Sequence, residues 1–234
     1  MGAVTGSDAD GDGSPPDGEA SNAMGEEDET GIEYESAWPV ALDGVTESVV
    51  ATRGPNDLWN VAAHGLHAPD GGLAAGSGHA VEAVTWGNTR TRRNFRRRGG
   101  GVVQFVADPR TFVDAALTIR EEPDPVLDSA DAWVRVSAER IDTGHEGDTR
   151  WERWRLHPGE GVVRRRRPFT INRGFFAVID ATVAASRLDV PGYDTDRLLD
   201  RLAYFAETVE ACGGAAEREA FARIDRETGW RDRR

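Results

Sequence analysis

The chain contains no lysine: all 28 of its basic residues are arginine. It has a single cysteine, Cys212, which excludes an internal disulfide framework and any cysteine-based zinc cage. No apolar run approaches the ~18 residues of a membrane span. No apolar stretch near Met1 has the form of a secretory signal. Apolar residues make up 38% of the 234 positions and aromatics 8%, against roughly 45–50% apolar in ordinary globular chains. A soluble cytoplasmic protein is expected, long enough for one large domain or two small ones and for a real core.

Positive charge is also missing from one end. Residues 1–33 hold ten acids and no base, whereas residues 34–234 carry 31 acids and 28 arginines, a net of −3 against −13 for the whole chain. The acidic end is rich in Gly, Ser, Pro and Asp and poor in bulky apolar side chains, so it cannot offset the entropy lost on ordering. It is read as a disordered, solvated tail, within which Met24 offers a second start site. An acidic, lysine-free composition rich in Ala, Gly and Arg fits a GC-rich, salt-loving source, where salt screens surface repulsion.

Beyond the tail the pattern is first β, then α. Val45–Thr52 and Leu58–Leu66 flank the turn residues Arg53–Asp57 and read as a hairpin. Gly71–Gly78 is a loop, and Ala80–Trp86 a third strand. Asn88–Arg98 reads as a loop with a short helix that stops at Gly99. Val102–Ala107 is apolar enough for a central strand. Asp108 and Pro109 start a helix through Ile119, and Glu121–Asp128 is a surface linker. Ala132–Ile141 and Thr149–His157 alternate around a turn at Thr143–Asp148. Helical spacing then takes over in Phe175–Leu188, in a helix capped by Asp194, and in Ala215–Arg226. Strands followed by helices indicate an α+β class, the strands forming a barrel or a sandwich. The expected division is a β domain over 34–165 and a helical subdomain over 166–234.

Three groups of residues bear on function. The segment Thr85–Phe95 gathers Thr85, Thr89, Thr91, Asn88, Asn94, Arg90, Arg92 and Arg93 after a strand. A phosphate needs short donors at a turn or helix start together with a cation, and from a loop Thr89 and Thr91 could reach one anion; a polar solvated turn is the bland alternative. The runs Arg96–Arg98 and Arg164–Arg167 are the kind of block that attracts nucleic-acid backbones, but there is no interleaved aromatic stacking platform, and arginine fills every surface cation role here. Asn172 is placed to cap the helix near Phe175, with Arg173 beside it. The five histidines have no ligand spacing that completes a metal set, and no nucleophile elbow, P-loop or dinucleotide fingerprint occurs.

Taken in order, the strand ending NVAAHG (Asn60–Gly65), the segment TWGNTRTRRNF (Thr85–Phe95), the strand VVQFVAD (Val102–Asp108) and the helix PFTINRGFFAVIDATVAASRL (Pro168–Leu188) resemble an uncharacterised archaeal family, the domain of unknown function 447. That family in turn resembles the flavin-reductase-like FMN-binding split β-barrels. The resemblance covers about residues 40–228. It implies a split barrel with a C-terminal helical subdomain, a homodimer, and FMN at the subunit interface. By resemblance, Asn60, Val61, Ala62, Ala63 and His64 run beside the flavin ring, using mainly main-chain groups, and Ala62 and Ala63 are small enough to admit it. Trp86, Asn88, Thr89, Arg90, Thr91 and Asn94 cradle the FMN phosphate. Asn172 and Arg173 match an Asn-Arg step that approaches the cofactor from the second subunit. His64 stands where relatives usually carry proline. The implied activity is that of an FMN-dependent oxidoreductase with NAD(P)H or another small molecule as redox partner. A flavin carrier or sensor without turnover is the alternative, and an arginine-rich nucleic-acid module a more distant one.

Overall fold

The computed structural model describes residues 31–233, so the acidic tail read over 1–33 lies almost wholly outside the described residues. In chain order the elements are β1 (Ile32–Tyr34), β2 (Val45–Arg53), β3 (Trp59–His67), β4 (Val81–Trp86), α1 (Arg90–Arg98), β5 (Gly100–Val106), α2 (Pro109–Leu117), β6 (Arg120–Glu122), β7 (Ala130–Glu146), β8 (Thr149–Val163), α3 (Arg173–Ala185), α4 (Thr195–Cys212) and α5 (Ala215–Thr228), followed by a short 3-10 turn, Trp230–Arg233. The tail's last residues belong to the fold, because Ile32 and Glu33 lie in β1 and pair with Val163 and Val162 of β8.

Six strands run in the order β8-β4-β3-β2-β5-β7, and β7 pairs back onto β8, so the sheet closes into an antiparallel barrel. Closure removes most of the exposed edges an open sheet would carry. The alternation that marks these strands in the sequence becomes inside and outside. On β8, Glu152, Trp154 and Leu156 are buried while Arg153, Arg155 and His157 face solvent. The barrel interior is filled by Trp38, Val50, Leu66, Val103, Val134 and Trp154 among others. The class is α+β, a split barrel carrying a helical C-terminal part.

Several boundaries differ from the sequence reading, among them the end of β8, expected at His157 and found at Val163, and the end of α2, expected at Ile119 and found at Leu117. The turn expected over Thr143–Asp148 shrinks to Gly147 and Asp148, because β7 and β8 stay paired as far as Glu146 and Thr149. The β7 arm of this outer hairpin, Asp142–Glu146, has no apolar side chain on either face, so the period-two signal fades although the ladder continues. The expected linker at Glu121 begins as strand β6, which pairs with Trp59–Val61; three residues are too few for periodicity to register.

Helix α2 joins the two halves. Phe112 and Ala115 pack with Val49 and Val61 on the outside of the barrel, while Val113 belongs to the core of α3, α4 and α5 with Val178, Leu202, Phe221 and Ile224. Among the described residues, no helix is long and apolar enough to cross a membrane.

The helical core has one close backbone crossing. A Cβ on Gly174, in the first turn of α3, would come within 2.4 Å of Gly213 Cα at the end of α4. Backbone meets backbone there, so neither side can swing away. Gly174→Ala is therefore expected to lower the unfolding free energy by about 1–3 kcal/mol, the usual cost of overpacking. Thermal denaturation reads this as a lower Tm, and an unchanged Tm would show that the two helix ends do not touch.

Candidate functional site

The barrel is split along one seam. On its β2 side, β3 is paired from Trp59 to His67. On its other side it meets β4 only at His67↔Glu82 and β6 only at Trp59–Val61. The stretch Ala62–Leu66 therefore has no neighbouring strand across the seam. Alternate residues of an antiparallel strand turn both N–H and C=O to the same side, so this stretch offers main-chain donors and acceptors to the gap. The other wall ends in Thr85 and in Trp86, which is 47% exposed.

Helix α1 lies at the end of the seam and packs against β2, β3, β4 and β5. Its sequence, RTRRNFRRR, holds one apolar residue, Phe95, which is 1% exposed and sits 5.3 Å from the Trp154 ring. Asn94 Nδ2 donates to Thr52 Oγ1 at 3.1 Å, and Asn60 Nδ2 makes a long 3.5 Å bond to Thr91 Oγ1. The helix begins at Thr89, whose Oγ1 accepts from the Arg92 N–H, and ends at Gly99 in the left-handed region. Its last turn carries Arg96, Arg97 and Arg98, and no acid lies in its first turn. Cations at the C-terminus suit the helix dipole, while the positive N-terminal end has no anion supplied by its own first turn.

The residues singled out from the sequence are partly brought together. Asn60 and Thr91 form a buried contact between β3 and α1, Asn94 ties α1 to Thr52 of β2, and Asn88 and Thr89 lie at the mouth of the helix. Thr89 and Thr91 do not converge on one point as a loop would allow. Thr89 caps the helix, and Thr91 is 4% exposed against Asn60. Arg90 turns away from the helix mouth and pairs with Glu121 at 2.7 Å. Val61 packs outward with Val49 and Phe112, Ala62 borders the barrel interior, and Ala63 borders the α2 side.

The His64 side chain is buried beside Phe95, at 6.2 Å between ring centroids, and its Nε2 has no partner among the described residues. Burial, and to a smaller extent the charge of His67, lowers its pKa to about 4. Asn172 caps α3, its Oδ1 accepting from the Gly174 and Phe175 N–H groups. Neither it nor Arg173 shares a hydrogen bond or ion pair with the β3–α1 residues.

The arginine runs are largely used within the fold. Arg164 donates to Leu127 O, Arg165 to Asp128 O and Ala130 O, and Arg167 to Asp131, so the second run ties the barrel exit to the start of β7 and the turn before it. In the first run, Arg96 pairs with Glu152 and Arg98 lies 3.9 Å from Asp57. These groups are not free basic surface.

Glu152 is the polar group that the sequence reading missed. It is 0% exposed on β8 with three arginines around it. The signal was a carboxylate on the inward stripe of an alternating strand, in register with Trp154 and Leu156.

Residues 46–165 match the model of a family described as protein of unknown function (DUF447), N-terminal domain, and residues 172–226 match the model that completes the same family. The chain belongs to the DUF447 family. Among solved structures, this DUF447 chain is similar to an FMN-bound DUF447 protein, MM1853, from Methanosarcina mazei. The TM-score is 0.64 at 23% identity, covering 79% of this chain and 95% of that one, which supports the fold. The styrene monooxygenase flavin reductase of Pseudomonas putida S12 gives a TM-score of 0.33 at 13% identity, over 56% of this chain and 95% of that one. Flavin reductase HpaC, complexed with NADP+, gives 0.33 at 14%, over 53% and 81%. Likeness at that level carries no argument. No curated protein matches the sequence.

Proposed function

We propose that this protein binds FMN in the seam between β3 and β4 and is an oxidoreductase of the flavin-reductase-like type, working as a homodimer. The observation that carries the reading is the unpaired edge of β3 at Ala62–Leu66, ending at a helix N-terminus with no acid in its first turn. A flat heterocycle with hydrogen-bonding edges fits an unpaired strand, and a phosphate fits the start of a helix. One ligand class, a flavin mononucleotide, has both parts at opposite ends. The FMN-bound relative supports the same assignment.

The residues would divide the work. Main-chain groups of Ala62–Leu66 hold the ring edge, and Ala62 and Ala63 keep the wall free of bulk. Trp86 covers one side of the opening. Asn88, Thr89 and the free N–H groups of the first α1 turn receive the phosphate, and Thr91, Asn60 and Asn94 hold that turn to the barrel. Asn172 and Arg173 complete the site from the second subunit. FMN supplies the hydride chemistry when bound, while the protein orients it and sets its surroundings. The redox partner is NAD(P)H or another small molecule.

The first test is an absorbance spectrum of the purified protein in high salt, followed by release and identification of any chromophore. The expected result is a yellow protein that releases FMN. A colourless protein that takes up no added FMN would overturn the reading. Titration of the yellow form with NAD(P)H then separates an enzyme, which bleaches and recovers repeatedly, from a carrier.

A further inference from the structure

Between β8 and α3 the chain runs as an arm without regular structure. Its root is fixed, because the Arg164 and Arg165 N–H groups donate to Asp131 O and the Arg164 side chain donates to Leu127 O. Its far end is fixed by the Asn172 cap on α3. From 166 to 171 no main-chain N–H or C=O pairs with another main-chain group among the described residues. Pro168 sets its own φ and turns Arg167 away from helical backbone, so the arm does not coil. Phe169 and Ile171 are each 81% exposed, more than any other large apolar side chain described, and Phe176 follows at the start of α3, also exposed. Apolar residues scattered over a surface are ordinary, but three so close in the chain mark a contact surface. Arg166 and Arg173 bracket Phe169 and Ile171, and neither guanidinium has a partner among the described residues.

Beside the root of the arm lies a cleft of about 400 Å³. Pro123, Val126 and Leu127 give it apolar walls, and Arg120 and Glu122 of β6 pair with each other at its edge. Its other two acids, Asp124 and Asp128, are exposed, and their carboxylates have no partner among the described residues. The cleft is preformed. Gln104, fully buried, holds its loop twice, donating from Nε2 to Pro125 O at 3.0 Å and accepting at Oε1 from the Leu127 N–H at 2.7 Å. The chain's own arm does not fill it, since Phe169 and Ile171 stand in solvent.

We propose that the arm of one subunit seats in this cleft of a second copy, and the reverse. Phe169 and Ile171 then cover Pro123 and Val126, and the two free cations of the arm meet the two free anions of the cleft. Root and cleft adjoin at Leu127, so one two-fold axis near that residue forms both contacts at once, as an isologous interface requires. Strand β6 borders the cleft and pairs with Trp59–Val61, so the seated arm ends beside the seam, where Asn172 and Arg173 of the second subunit are assigned above. The proposal rests on the homodimer of that reading and names the contact that builds it.

The test is sedimentation equilibrium of the full-length protein, with Tm as the check on folding, at the lowest salt in which wild type stays folded, because salt screens the charges. One variant reverses the cleft, Asp124→Arg with Asp128→Arg; the other reverses the arm, Arg166→Glu. All three side chains are exposed. Wild type is expected to be a dimer. Each variant alone sets like charges against each other, and its dimer dissociation constant should rise about tenfold or more. An equal mixture of the two should dimerise more tightly than either, because the native arm meets the native cleft and the new carboxylate meets the new guanidinium groups. A mixture no tighter than the variants alone overturns the pairing, and so do variants that dimerise like wild type. Phe169→Ser with Ile171→Ser stands in for a charge variant that does not fold; it too should weaken the dimer about tenfold or more, and an unchanged dimer overturns the proposal. A monomeric wild type overturns the homodimer and the arm together, whereas a dimer indifferent to these variants overturns the arm alone.

Discussion

Phe95→Ala is expected to reduce the unfolding free energy by about 3–5 kcal/mol, the range for deleting a fully buried aromatic. The reason is specific to α1. Its nine residues bury only Thr91, Asn94 and Phe95, and Phe95 is the one that reaches the barrel core. A helix of this length is not stable by itself in water, and six arginines in it repel one another. The ring against Trp154 is therefore what converts a marginal helix into a fixed one. Urea denaturation should give an earlier midpoint, with Phe95→Leu falling between the two. Because α1 carries Asn88 and Thr89 at its start, the same variant is expected to weaken FMN binding. A Phe95→Ala protein within about 1 kcal/mol of wild type would show that α1 is held by its polar contacts instead.

The second large effect is a pH dependence traced to His64. Unfolded, its imidazole takes a proton near 6.5; folded, burial and then the charge of His67 hold the pKa down at about 4. Between those values the unfolded chain binds the extra proton, so stability rises with pH. The contribution is intact above about pH 6.5, declines as the pH falls, and is fully lost by about pH 4. At 1.36 kcal/mol per pKa unit the loss is about 3 kcal/mol. Carboxylates add their own acid sensitivity, so the measurement is a difference. Urea midpoints for wild type and His64→Leu, taken between pH 7 and pH 4 at constant salt, should diverge, with the variant losing less stability. Parallel curves would mean that His64 takes up its proton at the same pH folded and unfolded.

Both predictions concern side chains whose importance is only half visible in the sequence. The alternation of Val45–Thr52 and Thr149–His157 already placed them as strands, because a half-buried strand must repeat every two residues. Asp108 with Pro109, Asn172 and Asp194 marked helix starts, because a helix leaves its first N–H groups unpaired and these residues satisfy them. The segment after β4 stood out for its short polar donors. What it did not disclose was the division of labour within it. Thr89 and Thr91, two apart, separate into a cap and a buried contact once the turn becomes helical. Arg90 and Arg92 differ only in which acid the fold brings within reach, Glu121 from β6 or Glu152 from β8.

The sequence by itself determined the class of fold, the order of the six barrel strands and the helices, the small residues Ala62 and Ala63 on β3, and the polar start of α1. These depend on local periodicity and capping, which neighbouring residues set among themselves. The tertiary structure decided which strands close the barrel, where β3 is left without a partner, and that a buried carboxylate gathers three arginines beside one helix turn. Those features join residues such as Arg92 and Glu152, sixty positions apart in the chain, and no local pattern records a pairing across that distance.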